Sequence, residues 1–110
     1  MKIIFTALSK KIFYHRGTIS KYVLENEGIP INPFMNFDYY FYDSIEREKI
    51  REANNQLVKF CDELWVFGEV SDGIEREINI AESNKKPIRY FSIDDYGKII
   101  EINKQEVRKE

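Results

Sequence analysis

The sequence is poor in the residues that make covalent cross-links and metal sites. It has one cysteine, Cys61, and one histidine, His15, among 110 residues. A single cysteine excludes an internal disulfide and is typical of a reducing compartment. Because Cys61 lies beside apolar residues, we predict a packed and unreactive thiol. A single histidine excludes a histidine-rich metal site.

Long hydrophobic runs are also missing. No stretch approaches the length of about 20 apolar residues that a transmembrane helix needs, and the apolar run at residues 1–9 is too short for a signal peptide. The 17 basic and 19 acidic residues are interspersed and give a net charge of −2, which is typical of a solvated surface and not of a nucleic-acid groove. We predict a cytoplasmic protein that has neither a membrane nor a nucleic-acid polymer as a partner.

The pattern of apolar residues predicts one α/β domain over residues 1–110. Strands are predicted at 2–8, 29–33, 62–68, 87–91 and 98–102. Helices are predicted at 18–27, where Gly28 would follow the helix end, and at 74–85. A third is predicted between them, with Asp43 as N-cap and Glu46 at N3, and ends near Phe60. This alternation of strands and helices indicates a three-layer arrangement with a parallel sheet of four or five strands. Residues 103–110 are expected to form a frayed tail.

The segment Phe34–Tyr42 has an unusual composition, because six of its nine residues are aromatic. A loop whose rings fold back onto the core would explain it. A platform that stacks on a base, or a subunit interface, would explain it as well, since aromatic side chains serve both.

Glu77 is the first candidate for a functional residue. With Ile74 at 0° and about 100° per helical residue, Ile78 lies near +40° and Ala81 near −20°, so these residues face the sheet. Glu77 lies near −60°, within the same apolar arc. A carboxylate there is costly to bury unless it is paired, hydrogen-bonded or used in function. The position is also near a helix N-terminus at the carboxyl ends of the strands, where open α/β sheets bind ligands.

The turn before this helix, Ser71-Asp72-Gly73, has a structural and a functional interpretation. Asp72 is predicted to cap the helix, with Glu75 at the N3 position, and Gly73 would allow a ligand to approach the backbone. Capping alone would account for these residues. The functional alternative makes Glu77 a nucleophile that attacks C1 of a sugar, with Asp72 as a second carboxylate. The single glycine does not make a phosphate-binding loop.

Residues 62–91, together with the strand end Phe5-Thr-Ala-Leu-Ser9, resemble the nucleoside 2-deoxyribosyltransferase family, which includes the related deoxynucleoside monophosphate N-glycosidases. The family pattern is an apolar strand, a DSGT-like turn, a glutamate in the following helix and a GKPV-like end. Here the corresponding residues run from Ser71 to Ile78 and from Lys85 to Ile88, so Gly73 takes the glycine position and Glu77 that of the nucleophile. The resemblance implies a Rossmann-like (flavodoxin-like) fold.

Three positions differ from the family pattern. Ser71 stands where the family has its turn aspartate, and Asp72 follows one position later. The segment Asn54-Asn55-Gln56 replaces an aspartate that assists proton transfer to the base. The first strand ends in Ala7-Leu8-Ser9, where the family has a glycine.

The resemblance implies cleavage or transfer at the N-glycosidic bond of a nucleoside or nucleotide, without a metal or organic cofactor, in a homo-oligomer. Two alternatives stay open: a protein that binds a nucleotide-derived ligand without turnover, and an interaction module that uses the fold as a scaffold. The candidate catalytic residues are Glu77 and Asp72. The candidate substrate-binding residues are Ser71, Gly73, Ser9, Phe13, Tyr14, Arg16, Asn54, Asn55 and Gly68.

Overall fold

The computed structural model describes residues 1–37 and 44–110. The described strands are β1 (Lys2–Leu8), β2 (Gly28–Ile31), β3 (Glu63–Phe67), β4 (Ile88–Ile93) and β5 (Ile99–Ile102). The helices are α1 (Arg16–Glu25), α2 (Pro33–Asn36), α3 (Arg47–Phe60) and α4 (Asp72–Ser83), with short 3-10 helices at Lys10–His15 and Lys104–Glu106. None of these helices has the length and the apolar sequence that a membrane crossing needs.

The five strands form one sheet in the order β2-β1-β3-β4-β5. The first four are parallel, and β5 runs antiparallel to β4. This confirms the predicted Rossmann-like sheet and adds that its last strand is reversed. Within the sheet, β2 lies beside β1 on one side and β3 lies beside it on the other. The boundary between β1 and β3 is therefore the topological switch point, where such folds open a ligand crevice. Leu8 pairs with Phe67, and both strands therefore end at the same level.

Strands β1, β3, β4 and β5 contribute to two hydrophobic cores because successive side chains point to opposite faces. Phe5 and Ala7 of β1 face α3 and α4, where they pack with residues such as Ile74. Ile4 and Leu8 face the other side, which α1 covers. The fold thus has α1 on one face of the sheet and α3 and α4 on the other.

Gly28 has a different role from the predicted one. It is the first residue of β2, and the left-handed residue that follows helix α1 is Glu27, with φ of 64°. A Cβ atom on Gly28 would lie 2.8 Å from the side chains of both Ile4 and Val23. The glycine is needed because helix and strand pack closely there.

Residues 103–110, which we call the strap, are not a frayed tail. Val107 packs against the core, and the segment pairs with the chain just after β3. The backbone N–H of Val70 donates to the carbonyl of Arg108 at 2.9 Å, and that of Glu110 donates to the carbonyl of Val70 at 2.9 Å. Pairing of these backbone groups holds the segment in place. Its charged composition suggested a frayed tail because composition does not indicate such pairing.

The aromatic segment is described only in part. Phe34 packs against the core on the α1 side, and its ring lies 5.4 Å from that of Phe13 in an edge-to-face arrangement. Residues 38–43, which include the three tyrosines of the segment, Phe41 and the predicted N-cap Asp43, lie outside the described residues.

Candidate functional site

Glu77 lies on the side of α4 that faces α3. Its side chain is partly buried, and its Oε2 accepts a hydrogen bond of 2.6 Å from Nδ2 of Asn54 in α3. The predicted inward position is therefore occupied by a carboxylate that two helices hold between them. Oδ1 of Asn54 is buried and has no hydrogen-bond partner among the described residues.

The surroundings of Glu77 change its acidity. Burial raises the pKa of Glu77 from 4.5 to about 7, while the hydrogen bond from Asn54 and the positive charge of Arg76 act in the opposite direction. Desolvation disfavours the charged carboxylate, and one neutral amide does not compensate for it. At neutral pH the group is therefore close to the midpoint of its titration.

Glu63 shows that burial alone does not produce this property. It is buried at the start of β3, yet it accepts hydrogen bonds of 2.9 Å from both Lys2 and Trp65. Burial would raise the pKa of Glu63, but the hydrogen bonds from Trp65 and Lys2 and the charge of Lys2 lower it overall. Glu63 is thus a structural ion pair, whereas Glu77 has no cation bonded to it among the described residues.

The N-terminus of α4 differs from the prediction. Ser71, and not Asp72, is the N-cap, and its Oγ accepts a hydrogen bond of 3.3 Å from the N–H of Ile74. Asp72 is the first residue of the helix and its side chain is exposed. The capping geometry requires an extended residue before the first turn, and Ser71 adopts it with φ of −83° and ψ of 170°.

Gly73 leaves open space in the first turn of α4. The nearest atoms to a Cβ placed there would be Nη2 of Arg76 and Oγ of Ser71, both at 3.9 Å. Packing within the protein would therefore allow a side chain at residue 73. The role predicted for Gly73, to let a ligand approach the backbone, stays a prediction.

Ser9 and Gly68 follow β1 and β3 and so lie at the switch point. Gly68 has φ of 79°, and a Cβ atom there would lie 3.1 Å from Ile12, so both the backbone conformation and the space favour glycine. Ser9 is buried, and its Oγ accepts a hydrogen bond of 3.2 Å from the N–H of Lys11. The same hydroxyl donates to the side chain of Glu110 in the strap.

Phe13, Tyr14 and Arg16 lie in and just after the 3-10 helix that follows β1. The rings of Phe13 and Tyr14 are exposed. The guanidinium of Arg16 lies 4.0 Å from the centre of the Phe13 ring and donates to the Phe13 carbonyl at 3.2 Å. The predicted stacking residues are thus at the surface of the edge that contains the switch point.

The structure brings only some of the predicted residues into contact. Glu77 contacts Asn54, and Asn55 is partly buried on the same helix. Ser71 and Gly73 are close together at the start of α4, and Ser9 contacts the strap. Sequence reasoning did not find the contribution of Glu110, because no local pattern indicates that a polar segment at 103–110 returns to the end of β1.

Two cavities lie outside this set of residues. One of about 750 Å³ opens at the opposite edge of the sheet, beside Pro87 and Ile88. Another of about 250 Å³ lies between α4 and the strap, beside Ile78 and Val107. Within residues 1–37 and 44–110, no group of three or more histidine, cysteine, aspartate and glutamate side chains is arranged to hold a metal ion.

Solved structures with the same fold include three enzymes of known activity. A 2-deoxyribosyltransferase from Bacillus psychrosaccharolyticus has a TM-score of 0.66 and 17% identity, over 82% of this chain and 72% of that one. A CMP N-glycosidase from Clostridium botulinum has a TM-score of 0.61 and 21% identity, over 86% and 71%. A 2-deoxyribosyltransferase from Leishmania mexicana has a TM-score of 0.59 and 18% identity, over 86% and 66%. The chain therefore has a nucleoside 2-deoxyribosyltransferase-like fold.

The sequence also matches the model of a protein family. Residues 8–91 match the model of a family described as a Domain of unknown function (DUF7768), and the chain belongs to that family. No curated protein matches it in sequence.

Proposed function

We propose that the chain cleaves or transfers the base at the N-glycosidic bond of a nucleoside or nucleotide, with Glu77 as the nucleophile. The observation that supports this most is the environment of Glu77. Its carboxylate is partly buried between α3 and α4 and is oriented by the hydrogen bond from Asn54 to Oε2. Attack would come from Oε1, the other oxygen.

In the proposed reaction, Oε1 of Glu77 forms a bond to C1′ of the sugar while the bond from C1′ to the base nitrogen breaks. The bonding electrons leave with the base, which takes up a proton from solvent. A covalent ester between Glu77 and the sugar remains, and splitting the displacement in this way replaces one difficult step by two easier ones. Water, or a second base, then attacks C1′, loses a proton to solvent and releases the carboxylate of Glu77.

The pKa of Glu77 has two consequences for this reaction. The attacking form is the carboxylate, so the first step requires pH values near or above about 7. The desolvation that raises the pKa also leaves the carboxylate poorly stabilised before the reaction, and such a group is a stronger nucleophile toward a centre that develops positive charge.

The remaining candidates have proposed roles around the sugar and the base. We assign Asn54 to orienting Glu77, because its Oδ1 is buried and therefore not accessible to a ligand. The enzymes of known activity that share the fold act on nucleosides or on CMP, by their names, which supports a ligand of this class. We assign the sugar hydroxyls to Ser71 and Asp72, the 5′ group to Ser9 and Arg16, and the face of the base to Phe13 and Tyr14.

A binding protein without turnover is the second candidate. The observation that favours it is the identity of the residue beside Glu77, because the amide of Asn54 holds the carboxylate in place but does not transfer a proton to a leaving base. In that case the same residues would hold a nucleoside or nucleotide that is not cleaved.

Incubation with the deoxynucleosides and their 5′-monophosphates, followed by chromatography of the free base, tests the proposal. We expect base release by the wild-type protein and its loss, by a factor of about 1,000 or more, in Glu77→Gln, because the amide is not a nucleophile. Glu82→Gln, on the exposed side of the same helix, is the matched control and should retain activity.

The outcome separates the two candidates. If ligands raise the melting temperature but no base appears with any substrate, the enzyme proposal fails and the binding protein is supported. If Glu77→Gln releases base as fast as Glu82→Gln does, Glu77 is not the nucleophile.

A further inference from the structure

The strap lies against α4 and ends at the switch point. Its ion pairs follow the helix from end to beginning: Nζ of Lys104 lies 3.6 Å from Glu82, and Nζ of Lys109 lies 2.8 Å from Glu75. Backbone pairing with Val70 then directs the strap over the end of β3. The result is that Glu110 contacts Ser9 at the carboxyl end of β1, which is the edge where this type of sheet binds its ligands.

The contact between Glu110 and Ser9 uses the whole donor capacity of the serine. A serine hydroxyl has one proton to donate and lone pairs that accept. Here Oγ of Ser9 accepts from the N–H of Lys11 at 3.2 Å and donates to Oε2 of Glu110. A second acceptor that approaches Ser9 must therefore displace the carboxylate.

Nucleosides and nucleoside 5′-monophosphates differ in the 5′ group that would meet the carboxylate of Glu110. A 5′-hydroxyl can donate a hydrogen bond to Glu110. A 5′-phosphate has only acceptor oxygens when fully ionised and carries negative charge, so it competes for the proton of Ser9 and is repelled by the carboxylate. Like charges placed together in this way are a common means of rejecting a wrong ligand.

We propose that Glu110 makes the site selective for nucleosides with a free 5′-hydroxyl over nucleoside 5′-monophosphates. This rests on the proposed function, which assigns the 5′ group to the region of Ser9. Glu110 is then a specificity residue supplied by the strap. Nζ of Lys11 lies 3.9 Å from Oε1 of Glu110, so removing the carboxylate would free both the serine hydroxyl and a cation for a phosphate.

The test is isothermal titration with the four common deoxynucleosides and their 5′-monophosphates. Every protein compared, including the one that is wild-type at residue 110, also carries Glu77→Gln so that no base is released. For each pair, the ratio of the Kd of the monophosphate to the Kd of the nucleoside is the measured quantity. We expect the wild-type protein to prefer the nucleoside and the ratio to fall by about tenfold or more in Glu110→Gln, because one full charge is removed near the 5′ group. Glutamine keeps the size of the side chain, and thermal denaturation checks that the variant folds.

Glu25→Gln is the matched control. It makes the same change of charge on an exposed residue at the far end of α1, on the opposite edge of the sheet, and its ratio should equal that of the wild-type protein. The proposal is overturned if Glu110→Gln leaves the ratio unchanged, if the wild-type protein already prefers the monophosphate, or if no nucleoside binds. Because binding is measured without turnover, the absence of base release with Glu77 present, together with the expected change in ratio, would contradict the enzymatic function and support the role of Glu110.

Discussion

The substitution Glu77→Gln should stabilise the protein at neutral and alkaline pH. Folding raises the pKa of Glu77 from 4.5 to about 7 because the carboxylate is desolvated. Between these two values the folded state binds more protons than the unfolded state, so the free energy of unfolding of the wild-type protein falls as the pH rises. Above about pH 7 the full cost is present, and below about pH 4.5 it is absent.

The size of the effect follows from the difference between the two pKa values. Each factor of ten in acidity corresponds to about 1.4 kcal/mol, which gives about 3 kcal/mol for Glu77. Glutamine removes the titration and keeps the shape of the side chain. We therefore expect the variant to be more stable than the wild-type protein by up to about 3 kcal/mol at pH 8, which corresponds to a rise in Tm on the order of 10 °C.

Urea denaturation at a series of pH values from 4 to 8.5 measures this difference. The stability difference between Glu77→Gln and the wild-type protein should grow from pH 4.5 to pH 7 and then level off. Glu82→Gln, an exposed residue of the same helix, should show no such growth. A difference between Glu77→Gln and the wild-type protein that does not depend on pH would refute the reasoning, because it would mean that the carboxylate is not desolvated in the folded state.

Two further predictions concern the neighbours of this site and the packing of the sheet. Asn54→Leu removes the hydrogen bond that lowers the pKa of Glu77, so the acid limb of the pH–rate profile for base release should move to higher pH; an unchanged limb would show that the bond is not made in solution. Gly28→Ala places a Cβ atom 2.8 Å from two packed side chains and should destabilise the protein by about 1–3 kcal/mol, as measured by urea denaturation. Gly17→Ala is the control, because no atom lies within 4 Å of the added Cβ. It should not destabilise the protein.

The regular elements were predictable from the sequence because each depends on a local pattern. β1 has the bounds that its apolar run indicates, and the other strands agree within a few residues. The inward position of Glu77 was predicted from helical phase alone. These predictions hold because a strand or helix with one apolar face must bury that face, whatever the rest of the chain does.

Other features depended on contacts between distant parts of the chain. The cap of α4 is Ser71 and not Asp72, because the path of the chain after β3 gives the serine the extended conformation that capping requires. Gly28 is constrained by Ile4 of the neighbouring strand as well as by Val23 of the preceding helix. No local rule distinguishes these outcomes from the predicted ones.

The sequence by itself therefore determined the class of sheet, the order of its elements and the carboxylate that faces inward. Only the tertiary structure decided what surrounds that carboxylate and what lies at the switch point. Burial raises the pKa of Glu77, and the hydrogen bond from Asn54, 23 positions away, lowers it. The environment of Ser9 depends on Glu110, 101 positions away. Periodicity and capping act over a few residues, whereas burial and hydrogen bonding between such distant residues exist only once the sheet has formed.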